Sequence, residues 1–100
     1  MDSTPQIEAR IRFLRAEAGG KNKSVASGYR AQVHSRGRDW DAVHEYPGVA
    51  QVAPGESARA RLRFLSPKEH RSQVEVGMPF QIREGGRGVG RGVVTQVLAP

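Results

Sequence analysis

Residues Phe80–Val97 read FQIREGGRGVGRGVVTQV, and the fold turns on this stretch. Phe80 and Ile82 alternate with Gln81 and Arg83, the two-residue period of a strand buried on one face. Gly85-Gly86 follows at once. Glycine reaches positive φ without a Cβ clash, so this step predicts a tight hairpin and a return strand through Val89, Val93, Val94 and Val97. Gly88, Gly90 and Gly92 weaken an ordinary strand; here they predict a bend or the close approach of another backbone, as closed barrels use.

The same period recurs upstream. Ile7–Leu14 sets Ile7, Ala9, Ile11 and Phe13 against Glu8, Arg10 and Arg12. Gly28–Arg36 alternates Tyr29, Ala31 and Val33 with Arg30, Gln32 and His34, and Gly37 breaks it. Asp39–Tyr46 puts Trp40, Ala42, His44 and Tyr46 on one face and is a weaker strand, since Val43 lies among acids on the other. Ser57–Leu65 is the cleanest, with Ala58, Ala60, Leu62 and Phe64 opposite Arg59, Arg61 and Arg63. Val74 and Val76 are read as extending the strand that contains Phe80, and Lys68–Gln73 as a polar connection. Ala16–Ser27, with Gly19-Gly20 and a basic Lys21-Asn22-Lys23 tip, reads as a long hairpin connection. Met1–Gln6 reads as a disordered polar lead. About six short strands and no helical period in a chain of 100 residues predict one all-β domain, an antiparallel barrel or sandwich, over residues 7–98.

Composition narrows the chemistry. There is no cysteine, which excludes disulfides and thiolate metal sites. His34, His44 and His70 have no ligand spacing, so no metal is expected. Nothing matches a nucleophile elbow, and GGKNKS (Gly19–Ser24) lacks the spacing of a phosphate-binding loop. No cofactor and no catalytic residue are expected. The N-terminus lacks a basic-then-apolar leader and no stretch reaches membrane-span length, so the expectation is a cytoplasmic protein with no membrane partner. Sixteen Lys and Arg against ten Asp and Glu give a net charge of +6, a balance that attracts polyanions.

REGGRGVGRGVV (Arg83–Val94) resembles the closing hairpin of the C-terminal domain of translation elongation factor Tu, where the run typically reads REGGRTVGAGVV. Ile7–Arg36, IEARIRFLRAEAGGKNKSVASGYRAQVHSR, is similar to that domain's opening strand, its Gly-Gly-basic loop and its GYRPQ-type strand, with Ala31 in place of the proline. The resemblance selects the barrel: a single six-stranded antiparallel closed β-barrel without the factor's GTPase domain, hence without GTP binding of its own. It implies a non-catalytic binding module for structured, tRNA-like RNA. The positions it implies as RNA contacts are Lys21, Asn22, Gln32, Arg38, Glu84 and Gly85.

Two features of the residues themselves remain open. The guanidiniums of Arg59, Arg61 and Arg63 lie about 6.6–6.8 Å apart along their strand, comparable with successive phosphates of a nucleic acid, but they could equally pair with acids such as Glu8 across the sheet. The last strand is apolar on both parities, so Val93, Val94 and Leu98 form a candidate protein interface, for a homodimer or a translation-related protein.

Overall fold

The computed structural model describes residues 6–65 and 74–98. They form β1 (Gln6–Phe13), a 3-10 turn (Ala16–Ala18), β2 (Tyr29–Ser35), β3 (Arg38–Glu45), β4 (Ser57–Phe64), β5 (Pro79–Glu84) and β6 (Arg87–Val97). All pairings are antiparallel, and the strands close in the order β1-β4-β3-β2-β5-β6, with β6 returning to β1. The expected six-stranded closed barrel is therefore present. Gln6, assigned to the polar lead, opens β1; the rest of that lead and the Lys68–Gln73 connection fall outside the described residues.

Alternation places the apolar set inside. Ile7, Ala9, Ile11 and Phe13 are each 2% exposed or less, and Ala60, Leu62 and Phe64 across the β1–β4 ladder are fully buried. Trp40 stacks edge-on against Phe64, with ring centroids 6.0 Å apart. At roughly 1.5–3 kcal/mol for each large apolar side chain taken from water, this interior is the main favourable term. The weaker strand at Asp39–Tyr46 forms as β3, with Trp40, Ala42, His44 and Tyr46 all inward-packed.

Three local expectations are corrected. Ala16–Ser27 is not a hairpin connection, because β1 pairs with β4 and β6 and never with β2. The segment instead crosses the end of the barrel, anchored by the two Val25–Val52 backbone hydrogen bonds of 3.0 and 2.8 Å. Val74 and Val76 stand outside β5, where Gly77 turns the chain at φ 88° and Val76 is 64% exposed. Val94, assigned to an outer interface, is 1% exposed and lies in the core.

That last correction comes from β6. The glycine pair closes the β5–β6 hairpin as expected, with Gly85 at φ 56° and Gly86 at φ 88°. The register then slips between Ile82 and Arg83, which face Gly90 and Gly88, leaving Val89 as an extra residue. Such a bulge re-aims a side chain, so Val89 and Val94 are both buried although they stand five positions apart, an odd spacing that unbroken alternation would put on opposite faces. A second slip beside Glu8 leaves Thr95 unmatched. The expected close approach is real at Gly92, where a Cβ would lie 2.5 Å from Phe80 Cζ and 2.9 Å from the Arg10 carbonyl oxygen.

Candidate functional site

Five of the six implied contact positions, all but Arg38, lie at or beside one corner. The loop after the 3-10 turn lies against the tip of the β5–β6 hairpin, held by Arg87, whose guanidinium donates to the carbonyls of Gly19 (3.0 Å) and Gly20 (2.6 Å). Lys21 Nζ then donates to Glu84 Oε2 at 2.6 Å and sits 5.4 Å from the centre of the Tyr29 ring. The Tyr29 hydroxyl donates to the same carboxylate oxygen. Partial burial works against ionisation of Glu84, but the bonds from Lys21 and Tyr29 and the charges of Lys21 and Arg87 outweigh it and hold its carboxyl below the ordinary range. Burial first, then Glu84, pushes the Tyr29 hydroxyl far above its ordinary value, so it remains a donor.

Gln32 and Gly85 border a cleft of about 330 Å³ beside this corner, shared with Arg30, Asp41, Leu65, Arg83 and Glu84. Register explains the grouping, since Gln32 lies opposite Asp41 on β3 and Arg83 on β5. Two buried polar atoms here lack partners among the described residues: Gln32 Oε1, an acceptor, and Arg83 Nε, a donor. The rest of the Arg83 guanidinium is engaged, Nη2 donating to the Gly86 carbonyl at 2.6 Å and Nη1 lying 3.0 Å from His34 Nδ1. His34 Nδ1 is also 2.7 Å from Asp39 Oδ1, so it serves the carboxylate in one tautomer and the guanidinium in the other. Asn22 is exposed beside Lys21.

Arg38 is not part of the corner. It faces Ser35 at the start of β3, three register positions from the Gln32–Asp41 pair, or about 10 Å along the strand. Arg59, Arg61 and Arg63 lie on another side of the barrel, on β4. Glu8 Oε1 sits 3.8 Å from both Arg59 and Arg61, a loose shared pairing of the kind considered for these arginines. Val93 is 43% exposed on the outside of β6, and Leu98 is partly buried, its amide donating to the Gln6 carbonyl at 2.9 Å.

Sequence reasoning missed Tyr29, Arg83 and Arg87 as parts of the corner. Their signal was weak because each acts across a long sequence gap: Tyr29 and Glu84 are 55 positions apart, and Arg87 and Gly19 are 68. Among the described residues, no group of three or more His, Asp or Glu side chains is placed to hold a metal ion. Among the described residues no helix is long and apolar enough to cross a membrane. In comparison with known families, residues 1–98 match the family model described as elongation factor Tu C-terminal domain.

Proposed function

The chain belongs to the elongation factor Tu C-terminal domain family and is a translation-factor-like barrel module, and from that premise we propose that it is a non-catalytic domain that binds structured, tRNA-like RNA at the corner built by Lys21, Asn22, Gln32, Glu84 and Gly85. The observation that carries the reading is the meeting of Lys21 with Glu84, 63 positions away, beside a cleft bordered by Gln32 and Gly85. A ribose 2′-hydroxyl both donates and accepts, so it can pair with the half-buried Gln32 side-chain amide at the edge of the cleft. An A-form stem presents its 2′-hydroxyls on a broad shallow groove, where contacts to shape and backbone replace the reading of base edges. Gly85, with no side chain, lets the sugar–phosphate chain approach the turn. Asn22 and Lys23 extend beyond the corner toward flanking phosphates. Glu84 acts as the post that orders Lys21 and Tyr29, in place of a free acceptor.

The test compares binding of a labelled tRNA with its all-deoxy counterpart. A 2′-hydroxyl contact predicts tighter binding of the RNA, and Gln32→Ala should reduce that preference by about five- to tenfold, the worth of one buried hydrogen bond. Equal binding of both polymers, or a preference untouched by Gln32→Ala, would refute the corner as the RNA site.

A protein partner is the second reading, favoured by the exposed Val93 and Val97 of β6. Two copies meeting through Val93 would bring together its neighbours Arg10 and Arg91, which opposes a homodimer and favours a partner of opposite charge.

A further inference from the structure

The topology sorts charge in a way that the linear sequence hides. In the closed order β4, β1 and β6 are consecutive, and together they carry seven arginines and a single carboxylate, Glu8. The other three strands, β3, β2 and β5, carry three arginines and four carboxylates. One half of the barrel wall is strongly cationic, and of its seven arginines only Arg87, at the hairpin tip, belongs to the Gln32–Glu84 corner.

On the cationic half, like charges face one another. Arg10 is directly opposite Arg59 across the β1–β4 ladder, and Arg12 is directly opposite Arg91 across the β1–β6 ladder. Facing like charges on neighbouring strands destabilise a sheet. Glu8 reaches only Arg59 and Arg61, and among the described residues Arg10, Arg12 and Arg91 have no ion pair. These three also line a groove of about 840 Å³ that crosses β6 toward Pro79 and Gln81. Gly88 leaves its wall open, since nothing lies within 4 Å of where a Cβ would stand.

We propose that this outer face of β4, β1 and β6 is a second nucleic-acid surface, one that holds a phosphodiester backbone without reading its sequence. The occupant follows from chemistry. Guanidiniums two residues apart along a strand repeat at about 6.6–6.8 Å, and adjacent strands add a second row about 4.8 Å away, a grid suited to repeated phosphates. A protein partner of usual type anchors on aromatic side chains with charge kept from the centre, whereas Phe80, the one Phe, Tyr or Trp among the described residues of the groove, is 4% exposed, and Arg10, Arg12 and Arg91 line the groove beside it. The surface goes beyond the corner and uses different residues, so the two are separable by mutation.

The experiment measures anisotropy of a labelled RNA duplex and of a DNA duplex of the same sequence across a salt series, for the natural chain and for the triple variant Arg10→Gln, Arg12→Gln, Arg91→Gln. Each phosphate contact contributes about 0.9 to the log–log salt slope on a duplex, so the variant should lose about 2.7 from its slope on both polymers. Its melting temperature should hold or rise, because the facing charges are gone. Gln32→Ala should leave the slope unchanged, whatever it does to the preference for RNA. An unchanged slope in the folded triple variant overturns the proposal. So does poly-glutamate displacing the duplex at an equal concentration of charge, which would make the face a site for acidic proteins.

Discussion

His44 lies fully buried between two rings, with centroids 5.3 Å from Tyr29 and 6.3 Å from Tyr46. Its Nε2 lies 3.4 Å from the Ala31 carbonyl, and its Nδ1 has no partner among the described residues. Burial penalises the imidazolium, and only the bond to Ala31 opposes this, so the pKa falls from 6.5 to about 4. Below pH 6.5 the unfolded chain therefore binds a proton that the folded barrel rejects. Stability is full above pH 6.5 and is lost as pH falls toward about 4, at roughly 1.4 kcal/mol per pH unit. From pH 7 to pH 5 the loss is about 2 kcal/mol, a sizeable part of the 5–15 kcal/mol typical of a domain. Glu84, held below its ordinary range, contributes stability that is present above about pH 4.5 and lost only as pH falls further, so readings above pH 5 isolate the histidine. Urea unfolding followed by fluorescence of the buried Trp40 at several pH values gives the curve directly. His44→Leu, similar in volume and unable to titrate, should flatten it. A natural chain with constant stability between pH 7 and 5, or a leucine variant that keeps the full slope, would show that the ring is not held neutral by burial.

Two further predictions concern β6. Gly92→Ala drives a Cβ into Phe80 and the Arg10 carbonyl and should cost about 1–3 kcal/mol, seen as a lower urea midpoint, whereas Gly88→Ala meets open space and should change the midpoint little. Val94→Arg buries an unpaired charge and should lower the melting temperature by more than 10 °C or abolish folding, while Val93→Arg on the same strand should leave the melt within a few degrees. A well-folded Val94→Arg chain would mean that the bulge at Val89 does not set the alternation of β6.

The strands were legible because period-2 alternation is a local property: Ile7, Ile11, Leu62 and Phe64 announce their burial through their immediate neighbours. Their order around the barrel was not, since nothing between Phe13 and Tyr29 says that β1 will skip the next strand and pair with β4. A bulge is invisible to alternation for the same reason. It is set by the partner strand, so Val94 looked external when counted along its own chain. The corner was legible only through motif likeness, which brought Lys21 and Glu84 together although they lie 63 residues apart. The tyrosine under Lys21, the arginine that ties the loop to the hairpin and the charge sorting of the two half-barrels all depend on closure.

In that closure Ile7 pairs with Val97, and the Leu98 amide bonds the Gln6 carbonyl. The barrel strand that is made first is thus clasped by the barrel strand that is made last. During synthesis β4 can pair with β1, but the ring stays open and both outer edges stay adhesive until β6 emerges. A barrel completed by so distant a pairing folds late and all at once, on the millisecond-to-second scale of nonlocal β topologies. The same clasp means that losing either terminal strand removes two ladders rather than one, leaving no smaller barrel for the remaining strands to adopt.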